Sequence, residues 1–133
     1  MIDGGLRQLF RKHLPEVDWT PVETFSTGRG VPELHYCVDG VAVLIELKAV
    51  RGIEKVRMRP EQIAWCERYL RHGGRVWIAV RQGQNFFLFT GRQARELHLK
   101  FSLPAMKLTG GPARWDWTEI RDALAKRCFS FFT

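Results

Sequence analysis

Two glutamates and a lysine are spaced to share one corner of this chain. Asp39-Gly40 is a two-residue hairpin signal, because a type I′ turn needs positive φ at both centres and Asp-Gly tolerates it. Counting outward from that turn, Val38 faces Val41, Tyr36 faces Val43, Leu34 faces Ile45, and Glu33 lies opposite Glu46. Lys48 follows on the same face as Glu46. Directly opposed carboxylates, with Cβ atoms about 5 Å apart, destabilise a sheet unless positive charge sits between them. A metal ion together with Lys48 would supply that charge. Just beyond, Arg51, Lys55, Arg57 and Arg59 stand against the single acid Glu54, with no clean period. A basic loop beside a carboxylate cluster is what an enzyme acting on a phosphate backbone needs, since it holds the polyanion against a site that would otherwise repel it. Plainer uses exist for each part: a Glu46–Lys48 salt bridge on an exposed face, a Glu33 that merely begins a strand, a solvated mobile loop.

The elements that must position these residues are local. Residues 33–38 and 41–48 are rich in β-branched, aromatic and leucine side chains and are expected as strands. One hairpin face carries Leu34, Tyr36, Val38, Val41, Val43, Ile45 and Leu47, and is core. The other carries Glu33, His35, Cys37, Ala42, Leu44, Glu46 and Lys48. Pro60 then begins a helix at its favoured first position, with Glu61 near the positive end of the dipole. Ile63, Cys66, Tyr69 and Leu70 give it a buried stripe, and Gly73-Gly74 ends it. Gln62 lies at the edge of that stripe, either as a satisfied interface residue or as a group reaching the end of the hairpin.

Around this centre, Leu6, Leu9, Phe10, His13 and Leu14 predict an amphipathic helix over 3–14 with Asp3 as N-cap, and with Arg7, Arg11 and Lys12 toward solvent. His13 fits a partly buried helix position better than a ligand. Trp19–Phe25 alternates as a short strand that Pro21 confines to an edge or its beginning, and Glu23 lies within it. Ser26-Thr-Gly-Arg29-Gly is a flexible turn with one basic side chain, lacking the Lys-Ser/Thr ending of a P-loop. Residues 75–81 form a strand charged only at its ends, hence central, and Gly83-Gln84-Asn85 turns it into a second arm over 85–90. A short helix over 91–99, a loop over 100–113 and a last helix marked by Trp117, Ile120, Leu124 and Cys128, capped by Asp116 or Thr118, complete the chain. The apolar tail after Cys128 suits covering an edge of the fold or a partner subunit. The order describes an α/β (α+β) layer, a mixed sheet flanked by helices.

A length of 133 residues fits one domain, with the core over about 1–97 and a C-terminal loop and helix over 98–133. No apolar run approaches the roughly 20 residues of a membrane span, and the N-terminus lacks a signal peptide's regions, so a cytoplasmic protein with no membrane partner is expected. Three separated cysteines suit free thiols better than disulfides or a zinc site. The net charge of +7 favours a polyanionic partner.

Pro32-Glu33, then Ile45-Glu-Leu-Lys48, then Arg59-Pro-Glu-Gln62 on the following helix and Gly73-Gly-Arg-Val-Trp-Ile-Ala-Val80 together resemble the PD-(D/E)xK nuclease superfamily, with its restriction-endonuclease-like core. The nearer likeness is to virus-type replication-repair (VRR-NUC) nuclease domains and short phage proteins related to them. It covers roughly residues 19–90. The resemblance implies a Mg²⁺- or Mn²⁺-dependent endonuclease acting on branched or structured DNA, in a bacterial host cytoplasm if phage-encoded, and as a homodimer. It implies that Glu33, Glu46 and the Leu47 carbonyl hold the ion, with Glu23 the candidate for an additional upstream acid. Lys48 would orient the attacking water or stabilise developing charge, Gln62 would position the lysine or the water, and Arg29, Arg51, Lys55, Arg57 and Arg59 would hold nucleic acid. One departure stands out: relatives mostly have aspartate where this chain has Glu33. A carboxylate moved by about a bond length can cost on the order of 100-fold in rate. The alternative is therefore a catalytically weakened nuclease-fold protein that binds nucleic acid or a host protein.

Overall fold

The computed structural model describes residues 3–15, 17–21, 32, 34–38, 40–52, 55–100 and 105–125. Six strands, β1 (Asp18–Pro21), β2 (Leu34–Val38), β3 (Val41–Val50), β4 (Val76–Gln82), β5 (Asn85–Thr90) and β6 (Met106–Leu108), form one sheet in sequential order. Every joint is antiparallel except β3–β4. A parallel joint needs a crossover, and α2 (Pro60–Arg71) supplies it. The other described helices are α1 (Leu6–His13), α3 (Ala94–Leu99), which a single 3₁₀ turn at Gly91–Gln93 introduces, and α4 (Trp117–Leu124). The expected mixed sheet flanked by helices is what forms.

The hairpin register follows from its turn. Leu34 pairs with Ile45, Tyr36 with Val43 and Val38 with Val41, and Gly40 has φ 75°. Leu34, Tyr36, Val43, Ile45 and Leu47 enter a core with Leu6 and Phe10 of α1 and Ile120 and Leu124 of α4. Phe10 is its aromatic node, stacking on Trp19 at 5.4 Å and meeting the edges of Phe86 and Trp117 at 6.0 and 5.8 Å. The opposite face is covered too. Leu44, Ile78, Val80 and Phe89 pack there against Ile63 and Cys66 of α2, Leu97 of α3, and Val56 and Met58 from the β3–α2 connection. With helices on both faces, Val76–Val80 is buried at every position and shows no alternation, as a central strand beside a parallel neighbour should.

Several local expectations need correction. Asp3 does not cap α1: Gly4 and Gly5 have φ 62° and 80°, so the helix starts at Leu6, and the Asp3 carboxylate accepts the Gly5 N–H instead. Tyr69 is exposed, stacked on Trp65 at 4.5 Å, because the stripe of α2 drifts round before the helix ends. The loop expected over 100–113 contains β6, whose Met106, Lys107 and Leu108 pair with Leu88, Phe87 and Phe86. β1 runs over Asp18–Pro21 at the sheet edge, where a proline is tolerated; residues 22–25 lie outside the described residues. Asp116 caps α4, accepting the Glu119 N–H at 3.0 Å. His13 is half-buried and stacks on Trp117. Cys66 is buried and Cys37 half-buried, neither of them in a disulfide, while Cys128 lies outside the described residues.

Candidate active site

Glu46 and Lys48 project from the second face of β3, two residues apart, where the pleat puts them on one side. α2 brings Gln62 to them. Its first turn begins with Pro60 behind Arg59 as N-cap, a residue whose side chain has no acceptor with which to cap. Gln62, at the third helical position, makes the return half of a capping box: its Oε1 accepts the Arg59 N–H at 2.9 Å. The same oxygen accepts from Lys48 Nζ at 3.1 Å. Its Nε2 donates to Glu46 Oε1 at 3.2 Å. Lys48 Nζ stands 3.9 Å from that carboxylate oxygen.

The pattern fixes polarity as well as position. Gln62 offers its oxygen to two donors and its amide to a carboxylate, so its orientation is set by its neighbours. Glu46 is 6 % exposed and Gln62 4 %. A carboxylate that deep in a sheet is costly without partners; here a glutamine amide, a lysine and the positive end of α2 meet it. The arrangement joins a buried anion, an oriented amide and an ammonium donor reaching the surface, since the Lys48 side chain is 19 % exposed. Chemically it can bind a cation at the carboxylate and present positive charge beside it.

Of the residues singled out from the sequence, Glu46, Lys48 and Gln62 come together. The Leu47 side chain points the other way, into the first core, while its backbone runs between Glu46 and Lys48. Glu33, Glu23 and Arg29 lie outside the described residues. The ladder is described up to Leu34–Ile45, next to the position where the Glu33–Glu46 pairing is expected. Arg51, Lys55, Arg57 and Arg59 are all exposed.

Two groups at the site have no counterpart in the sequence reading. One is the Arg59 backbone amide, although glutamine three residues after a helix start is a capping-box spacing that signals it. The other is His98 on α3, whose Nδ1 accepts the Met58 N–H at 3.2 Å from 40 positions away in sequence. No short-range pattern could have found that contact.

No protein-family model matches the chain, and no curated protein does. Among solved structures it is similar to Hjc, a Holliday junction resolvase from the archaeal hyperthermophile Archaeoglobus fulgidus, with a TM-score of 0.53 and 11 % sequence identity over 87 % of this chain and 96 % of that one. The likeness is one of fold, and it spans nearly the whole of both chains.

Proposed function

We propose that this chain is a Mg²⁺- or Mn²⁺-dependent endonuclease of the PD-(D/E)xK type, cutting branched or structured DNA. The observation that carries this reading is the Glu46–Gln62–Lys48 cluster, held at a strand–helix corner of a fold similar to that of a junction resolvase. Fold alone does not give activity, so the weight rests on the cluster.

The donors suit a hard divalent ion in kind. Among the described residues no group of three or more His, Cys, Asp or Glu is placed to hold a metal. The proposed ligands are the Glu46 carboxylate and the Leu47 carbonyl, with Glu33 as second carboxylate and Glu23 as a further acid. Mg²⁺ accepts so few protein ligands because it keeps several of its waters. When bound, the ion neutralises the scissile phosphate and lowers the pKa of the attacking water. Lys48 adds positive charge where negative charge develops, and Gln62 holds Lys48 and Glu46 in register. Arg29, Arg51, Lys55, Arg57 and Arg59 hold the DNA backbone against the acidic centre. One site cuts one strand, so paired incision of a branch calls for a homodimer. The virus-type replication-repair group, and with it a phage origin, is the narrower assignment.

Glutamate rather than aspartate at position 33 favours one other reading, a binding protein that has lost cleavage. Labelled linear, flapped and four-way-junction DNA, incubated with Mg²⁺ or Mn²⁺ and either wild type or Glu46→Ala, separates the two. Metal-dependent cutting that disappears in the variant is the expected result. Binding without cutting under either metal would overturn the nuclease reading in favour of the second.

A further inference from the structure

The connection from β3 to α2 has no regular secondary structure over residues 55–59, yet its burial alternates strictly. Val56 and Met58 are 0 % exposed, sunk into the second core, while Lys55, Arg57 and Arg59 are exposed. That alternation is the signature of an extended chain lying on a hydrophobic surface. It puts all three cations on the outer side, with neighbours about 6–7 Å apart at roughly 3.3 Å per residue. Successive phosphates of one nucleic-acid strand rise about 3.4 Å along the axis and, because the strand winds, sit about twice that far apart. The two spacings match. Arg59 makes only a loose ion pair, 3.9 Å to Glu61, and among the described residues Lys55 and Arg57 make none.

The segment is tied down at both sides by consecutive backbone amides. Met58 N–H donates to His98 Nδ1 on α3, and Arg59 N–H donates to Gln62 Oε1 on α2. In this bond the His98 Nδ1 lone pair is the acceptor. Without it, among the described residues only Val56 and Met58 packing would fix the segment ahead of Arg59.

We propose that residues 55–59 form a preformed rib that tracks the phosphates of one DNA strand, with His98 as the positioning residue that locks it in line with Glu46 and Lys48. This rests on the nuclease reading above. A rib ordered before binding spares the complex the entropy of ordering the backbone that carries three long cations, so its loss appears in affinity before it appears in chemistry. His98 touches neither DNA nor the reacting atoms; it acts through Met58.

The test compares His98→Ala, His98→Gln and His98→Asn with wild type in two measurements: amide hydrogen exchange over residues 55–59 without DNA, and binding of a labelled four-way junction over a range of salt concentrations. The asparagine oxygen sits where Nδ1 does and restores the acceptor; the glutamine oxygen sits one bond farther out. His98→Ala and His98→Gln should exchange the Met58 amide at least tenfold faster, bind about tenfold more weakly, and lose about 2–3 from the slope of log affinity against log salt, at about 0.9 per phosphate contact. His98→Asn should stay within about twofold of wild type in all of these. Arg57→Gln, which leaves the lock intact, should lower the slope by about 1 with unchanged exchange. If wild type binds junctions and His98→Ala binds them with the same affinity and slope, the rib is overturned and the nuclease reading stands. An unchanged slope in Arg57→Gln would overturn it equally. If wild type binds no DNA, both fall together.

Discussion

The side-chain amide of Gln62 makes three contacts, to Arg59 N–H, Lys48 and Glu46, and truncation loses all of them at once. Leaving buried polar groups without partners costs about 1–3 kcal/mol. Gln62→Ala is therefore expected to lower the unfolding free energy by about that amount in a urea titration and to slow cleavage by about 100-fold through loosened geometry. Lys48→Ala is a different experiment. On the proposed mechanism it removes positive charge from the reacting centre, so cleavage should fall by about 10²–10³-fold while junction affinity stays within about threefold; a variant that cuts at the wild-type rate would remove Lys48 from the mechanism. These three residues were legible in the sequence because their spacing is local: i, i+2 on a strand, and the third position of a helix that starts with proline. His98 was not, since its link to the site among the described residues is a contact made by the packing of α3.

At the scale of elements, α2 and α3 are joined at the surface by Arg95, whose guanidinium donates to both oxygens of Glu67 at 2.9 and 3.0 Å. That hydrogen bonding holds the Glu67 carboxyl below its usual range. A carboxylate lowered in the folded state contributes stability that is fully present above its ordinary pKa and is lost as pH falls through the lowered one. The contribution is small at so exposed a pair. Thermal melts should therefore show wild type losing slightly more stability than Glu67→Gln as pH drops below about 4, and no difference in that slope would discount the tie. Phe10 is the larger lever, being fully buried among Trp19, Phe86 and Trp117. Phe10→Ala should cost about 3–5 kcal/mol by denaturant unfolding. The hairpin register was readable from Asp39-Gly40 and its flanking alternation. β6 was not: three residues between a proline and a pair of glycines have no period, and only pairing with β5 makes them a strand. The alternation at 55–59 was hidden for a related reason, because methionine and valine between cations read as an irregular basic loop until the surface beneath them is known.

For the molecule as a whole, the net charge of +7 makes electrostatics the natural source of nonspecific affinity. Junction binding should weaken steeply between about 50 and 200 mM salt, by about 10³-fold or more if six or more phosphates are engaged; a flat salt response would mean the charge serves solubility alone. The described residues contain no helix long and apolar enough to cross a membrane. The sequential strand order has a further consequence, for how the chain acquires its structure. β1–β3 and β4–β6 are each held by antiparallel joints, and the parallel β3–β4 joint must wait for the longest connection, from Val50 to Val76, to close. Local pairings form early and nonlocal ones late, because the entropy of loop closure comes before the contacts that reward it. Glu46 and Lys48 belong to β3, whereas Gln62 sits on the crossover itself. The three side chains therefore meet only once α2 has docked on β3.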